Sequence, residues 1–218
     1  MEAKMFATEK KHQEAYKTAR TNLLFSLMKE GCKKISVISS RKGEGKTLTV
    51  SNLAYMLALQ LDIKVLIVDC DLRMPRLHKI FGLDCSPGLS DCLINKKSMS
   101  DVLHKTKTSN LSVVCAGTIP PNPSELLSSR FFERFVAEAE KDFDYIIFDT
   151  APLNVVIDAF NVVRQSDGVV FTVVKDMSTH NEFSKTLAKV NETGTKVLGA
   201  ILHGMPEKKN NNYYGYRQ

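Results

Sequence analysis

Residues 39–47 read SSRKGEGKT. Before them, KISVIS (34–39) has the short β-branched run of a buried strand, and after them TLTVSNLAYMLALQL (47–61) has helical spacing. GEGKT placed between a strand and a helix predicts a phosphate-binding loop. Small residues let backbone N–H groups face phosphate oxygens, Lys46 reaches the outermost ones, and Thr47 offers a hydroxyl to a magnesium ion. The helix that opens here adds a dipole favouring anions. Chance GK[ST] strings are common, but this one has the context that the motif requires. Ser40 stands where the opening glycine is usual. The stretch Arg41, Lys42, Gly43, Glu44, Gly45, Lys46, Thr47 and Leu48 is thus the candidate nucleotide-binding segment.

The same alternation continues on both sides. Strands are expected at VLIVD (65–69), LSVVCA (111–116), YIIFD (145–149), GVVFTVV (168–174) and VLGAIL (197–202). Helices are expected at Gln13–Glu30, SELLSSRFFERFVAEAEK (124–141), VVIDAFNVVRQ (155–165) and FSKTLAKVNET (183–193). Continuous Val/Ile/Leu strands alternating with helices predict an α/β P-loop NTPase, its mostly parallel central sheet covered by helices on both faces. No internal repeat is present. Residues 1–205 form the expected domain, and 206–218 a flexible, low-complexity tail.

Two strands end on aspartate. VLIVDCD carries Asp69 and Asp71, and YIIFDTAP carries Asp149. Ligands of parallel sheets bind beyond the carboxyl ends of the strands, so these carboxylates converge on Lys46 and Thr47. One aspartate there would be read as a strand stop or a helix cap; three make a magnesium and phosphate site. Asp149 suits the Walker B role of holding magnesium, directly or through water. Hydrolysis by water needs one acidic magnesium partner, whereas transfer to a hydroxyl also needs a proton acceptor. Phenols ionise near pH ~10, so a carboxylate beside the γ-phosphate helps generate the phenolate. One of Asp69 and Asp71 as metal partner and the other as base is a sensible division; the residues alone leave open which is which.

Composition bounds the rest. The chain has 218 residues, 43% of them hydrophobic and 25% charged, which fits one α/β domain of a soluble globular protein. A net charge of +6 permits an acidic partner without requiring one. Cys32, Cys70, Cys85, Cys92 and Cys115 show no metal-ligand spacing and read as reduced thiols. The start, MEAKMFATEKK, has no apolar signal core, and no stretch approaches the roughly 18–20 apolar residues that span a bilayer. A cytoplasmic protein is expected, with any membrane attachment lent by a partner.

SSRKGEGKT, VLIVDCDLRMPRLHKIFG, GLSDCL, AGTIPPNPSELLSS and YIIFDTAP, together with a terminal tyrosine cluster, resemble the bacterial tyrosine kinases of capsule and exopolysaccharide synthesis, the BY-kinases. The likeness runs from about Glu14 to the end, and DLRMPRLH and PPNPSELL are more specific than any P-loop. It implies a protein-tyrosine kinase using ATP and Mg²⁺, with Lys46, Asp69 and Asp71 catalytic and Thr47, Asp69, Asp71 and Asp149 around the metal. Asp69 is the proton acceptor in that scheme. The resemblance further implies a transmembrane activator protein that holds the kinase at the inner face of the membrane. It also implies a cognate tyrosine phosphatase and protein substrates in polysaccharide synthesis, and no nucleic acid.

The family uses an E-x-x-R-x-x-R helix to build a ring of subunits. Glu14, Lys17 and Arg20 occupy that spacing within the helix expected at about 12–30, and lysine cannot reproduce arginine's bidentate grip. Lys42, beside Arg41, either reaches the phosphates or faces solvent. His203 follows the last strand where related ATPases place an adenine contact, and is otherwise an ordinary histidine.

The ending NNNYYGYRQ (210–218) holds Tyr213, Tyr214 and Tyr216, half of the six tyrosines. The last strand releases this tail at the edge that carries the P-loop. From Met205 the tyrosines lie within at most roughly 25–40 Å of extended chain, enough to reach a neighbouring subunit. Beside a kinase site the tail reads as the enzyme's own substrate, phosphorylated in trans; alone it reads as a solvated terminus. Each phosphate adds about −1.5 to −2 charges, which favours release of the tail. The alternatives are a partitioning or positioning ATPase of the same P-loop branch, and a non-catalytic ATP-binding regulator.

Overall fold

A computed structural model describes residues 10–156 and 158–205. The tail, with Tyr213, Tyr214 and Tyr216, lies outside the described residues. In chain order the elements are α1 (Lys10–Ser26), β1 (Lys33–Ile38), α2 (Lys46–Ala58), β2 (Val65–Asp69), α3 (Leu77–Phe81), α4 (Leu89–Leu93), α5 (Met99–Val102), β3 (Leu103–Lys105), β4 (Leu111–Val114), α6 (Pro123–Leu127), α7 (Arg130–Ala139), β5 (Tyr145–Asp149), α8 (Asp158–Arg164), β6 (Gly168–Val174), α9 (His180–Glu192) and β7 (Lys196–His203).

The strands form one sheet in the order β3-β4-β2-β5-β1-β6-β7, parallel except for the antiparallel pairing of β3 with β4. Two sets of alternating side chains leave the central strands in opposite directions. Ile35, Ile67, Val113 and Ile147 meet Leu53 and Leu57 of α2, Leu23 of α1 and Leu27 just after it on one face. Leu66, Val68, Val114, Ile146 and Phe148 meet Phe132, Phe135 and Val136 of α7 on the other. Both faces are covered, which is why these strands read as unbroken apolar runs.

The expected parallel α/β architecture is present, with local corrections. β3 is three residues long with no fully buried position, too short and too polar to give a strand pattern. The first helix stops at Ser26, short of Glu30, and packs on α2 through buried Tyr16 and Leu23. The helix expected from 155 begins at Asp158, because Leu153–Val155 form a turn after β5. α9 starts earlier, at His180, where Thr179 and Glu182 close a reciprocal capping box.

The placement of β5 decides the site. It lies between β1 and β2, pairing Val37 with Asp149 on one side and Asp69 with Asp149 on the other. The chain thus leaves β1 through the P-loop and returns two strands away, which opens a crevice at the carboxyl edge.

Candidate active site

The P-loop is held from within by a residue that the sequence suggests as a ligand contact. Glu44 is fully buried. Its carboxylate accepts the Arg41 N–H at 2.7 Å and the Ser178 hydroxyl at 2.7 Å, while its carbonyl accepts the Thr172 hydroxyl at 2.7 Å. The Glu44 side chain therefore shapes the loop from within and does not line the crevice. Gly43 and Gly45 adopt φ of 91° and 81°, a left-handed backbone that side chains rarely take. Lys46 lies along the loop with Nζ donating to Ser39 Oγ at 2.9 Å. Burial pulls its pKa down, against the opposing pull of Asp149, Asp71 and Glu44.

Two further expectations for the loop change. Arg41 turns away from the crevice: its guanidinium donates to Glu182 of α9 at 2.7 Å and to the Met177 carbonyl at 3.0 Å. His203 sits behind the loop, its Nε2 2.9 Å from Thr49 Oγ1 of α2 and placed where a Cβ added at Gly45 would touch it at 3.5 Å. It is absent from the crevice wall, so the structure makes it a support for the loop. Lys42, in contrast, faces the crevice.

That crevice is a cavity of about 650 Å³ between the P-loop, the segment 71–80 and the turn after β5. Lys42, Gly43, Gly45, Lys46, Thr47 and Leu48 form one wall, and Asp71, Arg73, Met74, Arg76, Lys79 and Ile80 the opposite one. Ala151, Pro152, Val155 and Val156 close the apolar end. Its size suits a nucleotide with part of a second substrate.

The three expected carboxylates come together, in unequal settings. Asp69 and Asp149 are register neighbours on adjacent strands, roughly 4.8 Å apart at the backbone. Asp69 is fully buried, and its oxygens accept the Asp71 N–H and the Leu77 N–H, both at 3.1 Å. Burial, then the charge of Asp149, push its pKa well up. Asp149 is pushed up to about 6, chiefly by burial, with the Thr47 hydroxyl and the Lys46 ammonium pulling it down. Its Oδ1 is buried without a hydrogen-bond partner. Asp71 is half-buried on the cavity wall, and its Oδ1 accepts the Met74 N–H at 3.0 Å.

These residues fit a magnesium ion. A buried carboxylate oxygen lacking a donor is costly unless a ligand arrives, and Asp149 Oδ1 is such an atom beside Thr47. Among the described residues no group of His, Cys, Asp and Glu side chains forms a metal cage by itself. That suits magnesium, which takes one or two carboxylates and completes its shell with phosphates and water.

One anchor escaped the sequence. Arg73 donates from Nε to Asp158 Oδ2 at 2.5 Å and from Nη2 to Oδ1 at 3.3 Å. Asp158 is the first residue of α8 and only 2% exposed. The pair fastens the wall bearing Asp71 to the helix after β5. The one available signal was an acidic residue at a helix start, which names no partner.

Glu14, Lys17 and Arg20 do not share one outward face. Lys17 pairs with Glu14 at 2.5 Å in solvent, whereas Arg20 is half-buried and donates to the Met56 carbonyl of α2 at 3.2 Å. Among the described residues no helix is long and apolar enough to cross a membrane.

Residues 32–199 match the AAA domain family. A putative tyrosine-protein kinase CapB of Staphylococcus aureus is 37% identical over 93% of this chain and 89% of its own length. The tyrosine-protein kinase YwqD of Bacillus subtilis is 36% identical over 94% and 86%. The chain belongs to the bacterial tyrosine kinase family. Among solved structures, the chimerical protein CapA2B2 superposes with a TM-score of 0.87 at 33% identity, over 93% of this chain and 90% of that one. A septum site-determining protein MinD complexed with Mg-ADP, from Pyrococcus horikoshii, reaches only 0.67 at 23% identity and shares the fold alone. The BY-kinase assignment thus rests on relatives matched along nearly their whole length.

Proposed function

We propose that this BY-kinase transfers the γ-phosphoryl group of ATP to protein tyrosines, its own terminal cluster among them, and thereby regulates capsular or exopolysaccharide synthesis. The observation that carries this reading is Asp71 on the cavity wall with Lys46, backed by the buried register pair Asp69 and Asp149, with apolar lining beside them. An ATPase that uses water needs neither the second acidic strand end nor that lining.

The P-loop backbone and Lys46 hold the triphosphate, and Thr47, Asp149 and Asp71 hold Mg²⁺. When bound, magnesium withdraws charge from the phosphate oxygens. The phenol oxygen forms the new bond to phosphorus, the bond to the bridging oxygen breaks, and ADP leaves. The phenolic proton passes to Asp69, whose raised proton affinity brings it closer to the phenol's own. Asp71, which lines the cavity and gives its N–H to buried Asp69, orients what approaches. The incoming ring rests on Ala151, Pro152 and Val155.

Residues 1–205 act as the kinase domain and 206–218 as a substrate tail offered to a neighbouring subunit in a ring. Glu14 and Lys17 remain available at that contact, while Arg20 contributes by fixing α1 to α2. A transmembrane activator keeps the kinase peripheral at the inner membrane face, and a tyrosine phosphatase reverses the reaction.

Incubation with γ-labelled ATP, magnesium and the activator's cytoplasmic tail tests the reading. Label mapped to Tyr213, Tyr214 and Tyr216 supports it. Free phosphate with an unlabelled tail assigns a positioning-type ATPase, and neither product assigns a binding-only regulator.

A further inference from the structure

The cavity gathers five basic side chains around a single acidic one. The P-loop wall supplies Lys46 and Lys42, and the opposite wall supplies Arg73, Arg76 and Lys79. Arg73 is neutralised by Asp158. Arg76 and Lys79 pair with no carboxylate among the described residues, and Asp71 is the one acidic side chain lining the cavity. Arg76 also stands near enough for its charge to bear on both Lys46 and Asp149. Two exposed cations without an ion-pair partner among the described residues thus line the cavity beside the reacting centre.

An unmodified tail gives them nothing to bind. Beyond Met205 its charged side chains are Glu207, Lys208, Lys209 and Arg217, and the one side-chain carboxylate lies on the far side of the asparagine run. Lysines and arginine meeting Lys42, Arg76 and Lys79 repel. Phosphorylation of an acceptor tyrosine would set a dianion directly beside its neighbours. In an extended segment, side chains two residues apart share a side at roughly 7 Å, so Tyr214 and Tyr216 can enter the cavity together.

We propose that Arg76 and Lys79 form a phosphotyrosine subsite that holds an already modified tail tyrosine while its neighbour is presented for transfer. The proposal rests on the kinase reading for its purpose, but the binding it describes is separable. The phosphate dianion meets a guanidinium and an ammonium, partners that make charge-assisted hydrogen bonds stronger than neutral ones. The first phosphate on the cluster is consequently the slow one, and later ones follow readily.

The test titrates the peptide NNNYYGYRQ, unmodified or phosphorylated on the tyrosine that corresponds to Tyr216, with the full-length protein in ADP and magnesium. The phosphopeptide is expected to bind about tenfold more tightly, and the Arg76→Ala, Lys79→Ala double variant to cut that ratio below about threefold. Arg76→Lys should restore part of it, and Lys97→Ala, at an exposed site away from the cavity, should leave it intact. Equal binding of the two peptides overturns the proposal. So does an advantage that survives loss of both cations, or one lost only in Lys46→Ala, which would place the phosphate in the P-loop. Selective binding through Arg76 and Lys79, with no transfer to Tyr214 when ATP and the activator's tail replace ADP, would uphold the subsite and refute the kinase reading.

Discussion

The P-loop and the loop after β2 leave the same edge of the same sheet, yet the buried acid of each meets different surroundings. Glu44 in the P-loop has both carboxylate oxygens hydrogen-bonded by its own surroundings. Asp69, at the start of the other loop, lies against Asp149, and Asp149 keeps an oxygen with no donor at all. A satisfied buried carboxylate is scaffold. A crowded pair in which one partner keeps an unsatisfied oxygen costs stability and is relieved when metal and substrate arrive, so function concentrates there.

That contrast can be broken at several points. The largest effect is expected from Lys46→Met, which removes the cation both loops share. The rate of tail labelling should fall by about a thousandfold or more, and a drop below tenfold would detach Lys46 from the chemistry. Asp69→Asn should reduce labelling by about a hundredfold or more while nucleotide affinity stays within a few-fold, read by parallel labelling and nucleotide titration. Unchanged labelling would move proton acceptance to Asp71.

Arg73→Ala frees the Asp71 wall from α8. Labelling should drop by about ten- to a hundredfold, and a double-mutant cycle with Asp158→Asn should return a coupling of about 1–2 kcal/mol.

Asp149→Asn separates stability from function. Its carboxyl is raised to about 6 from an ordinary 3.8, so the folded ligand-free protein favours the protonated form. That contribution is fully present below about pH 4 and is lost as pH rises through 6. At pH 8 the variant should be more stable than the parent by up to about 3 kcal/mol, since each tenfold change in proton affinity is worth about 1.4 kcal/mol. The gain should shrink toward pH 5, and magnesium-dependent nucleotide binding should vanish. Denaturant titrations across pH check the sign. Least affected should be Arg41→Ala, whose side chain is committed to Glu182 at the surface; melting should report a loss within about 0.5 kcal/mol.

The two loops also differ in how far the sequence discloses them. Glycine spacing and a strand-to-helix context mark the P-loop, because backbone conformation and phosphate binding act locally. The convergence of Asp69 and Asp149 was legible too, since parallel strands end on one edge. What stayed hidden depends on partners distant in sequence. Glu44 looks like a loop residue until Ser178 is found beside it, and Arg73 looks solvated until α8 brings Asp158. Arg20 shares a helical spacing with Glu14 and Lys17, but the packing of α1 on α2 turns it inward. β3 lacked the length to register at all.

Transfer between subunits is the most direct test of the pair's role. A Lys46→Met protein with its tail intact is mixed with a protein whose Tyr213, Tyr214 and Tyr216 are all phenylalanine. γ-Labelled ATP, magnesium and the activator's tail are then supplied. Label should appear on the tail tyrosines of the Lys46→Met partner and disappear when the second protein also carries Asp69→Asn. An unlabelled tail accompanied by steady release of free phosphate would contradict a site built to receive a phenol.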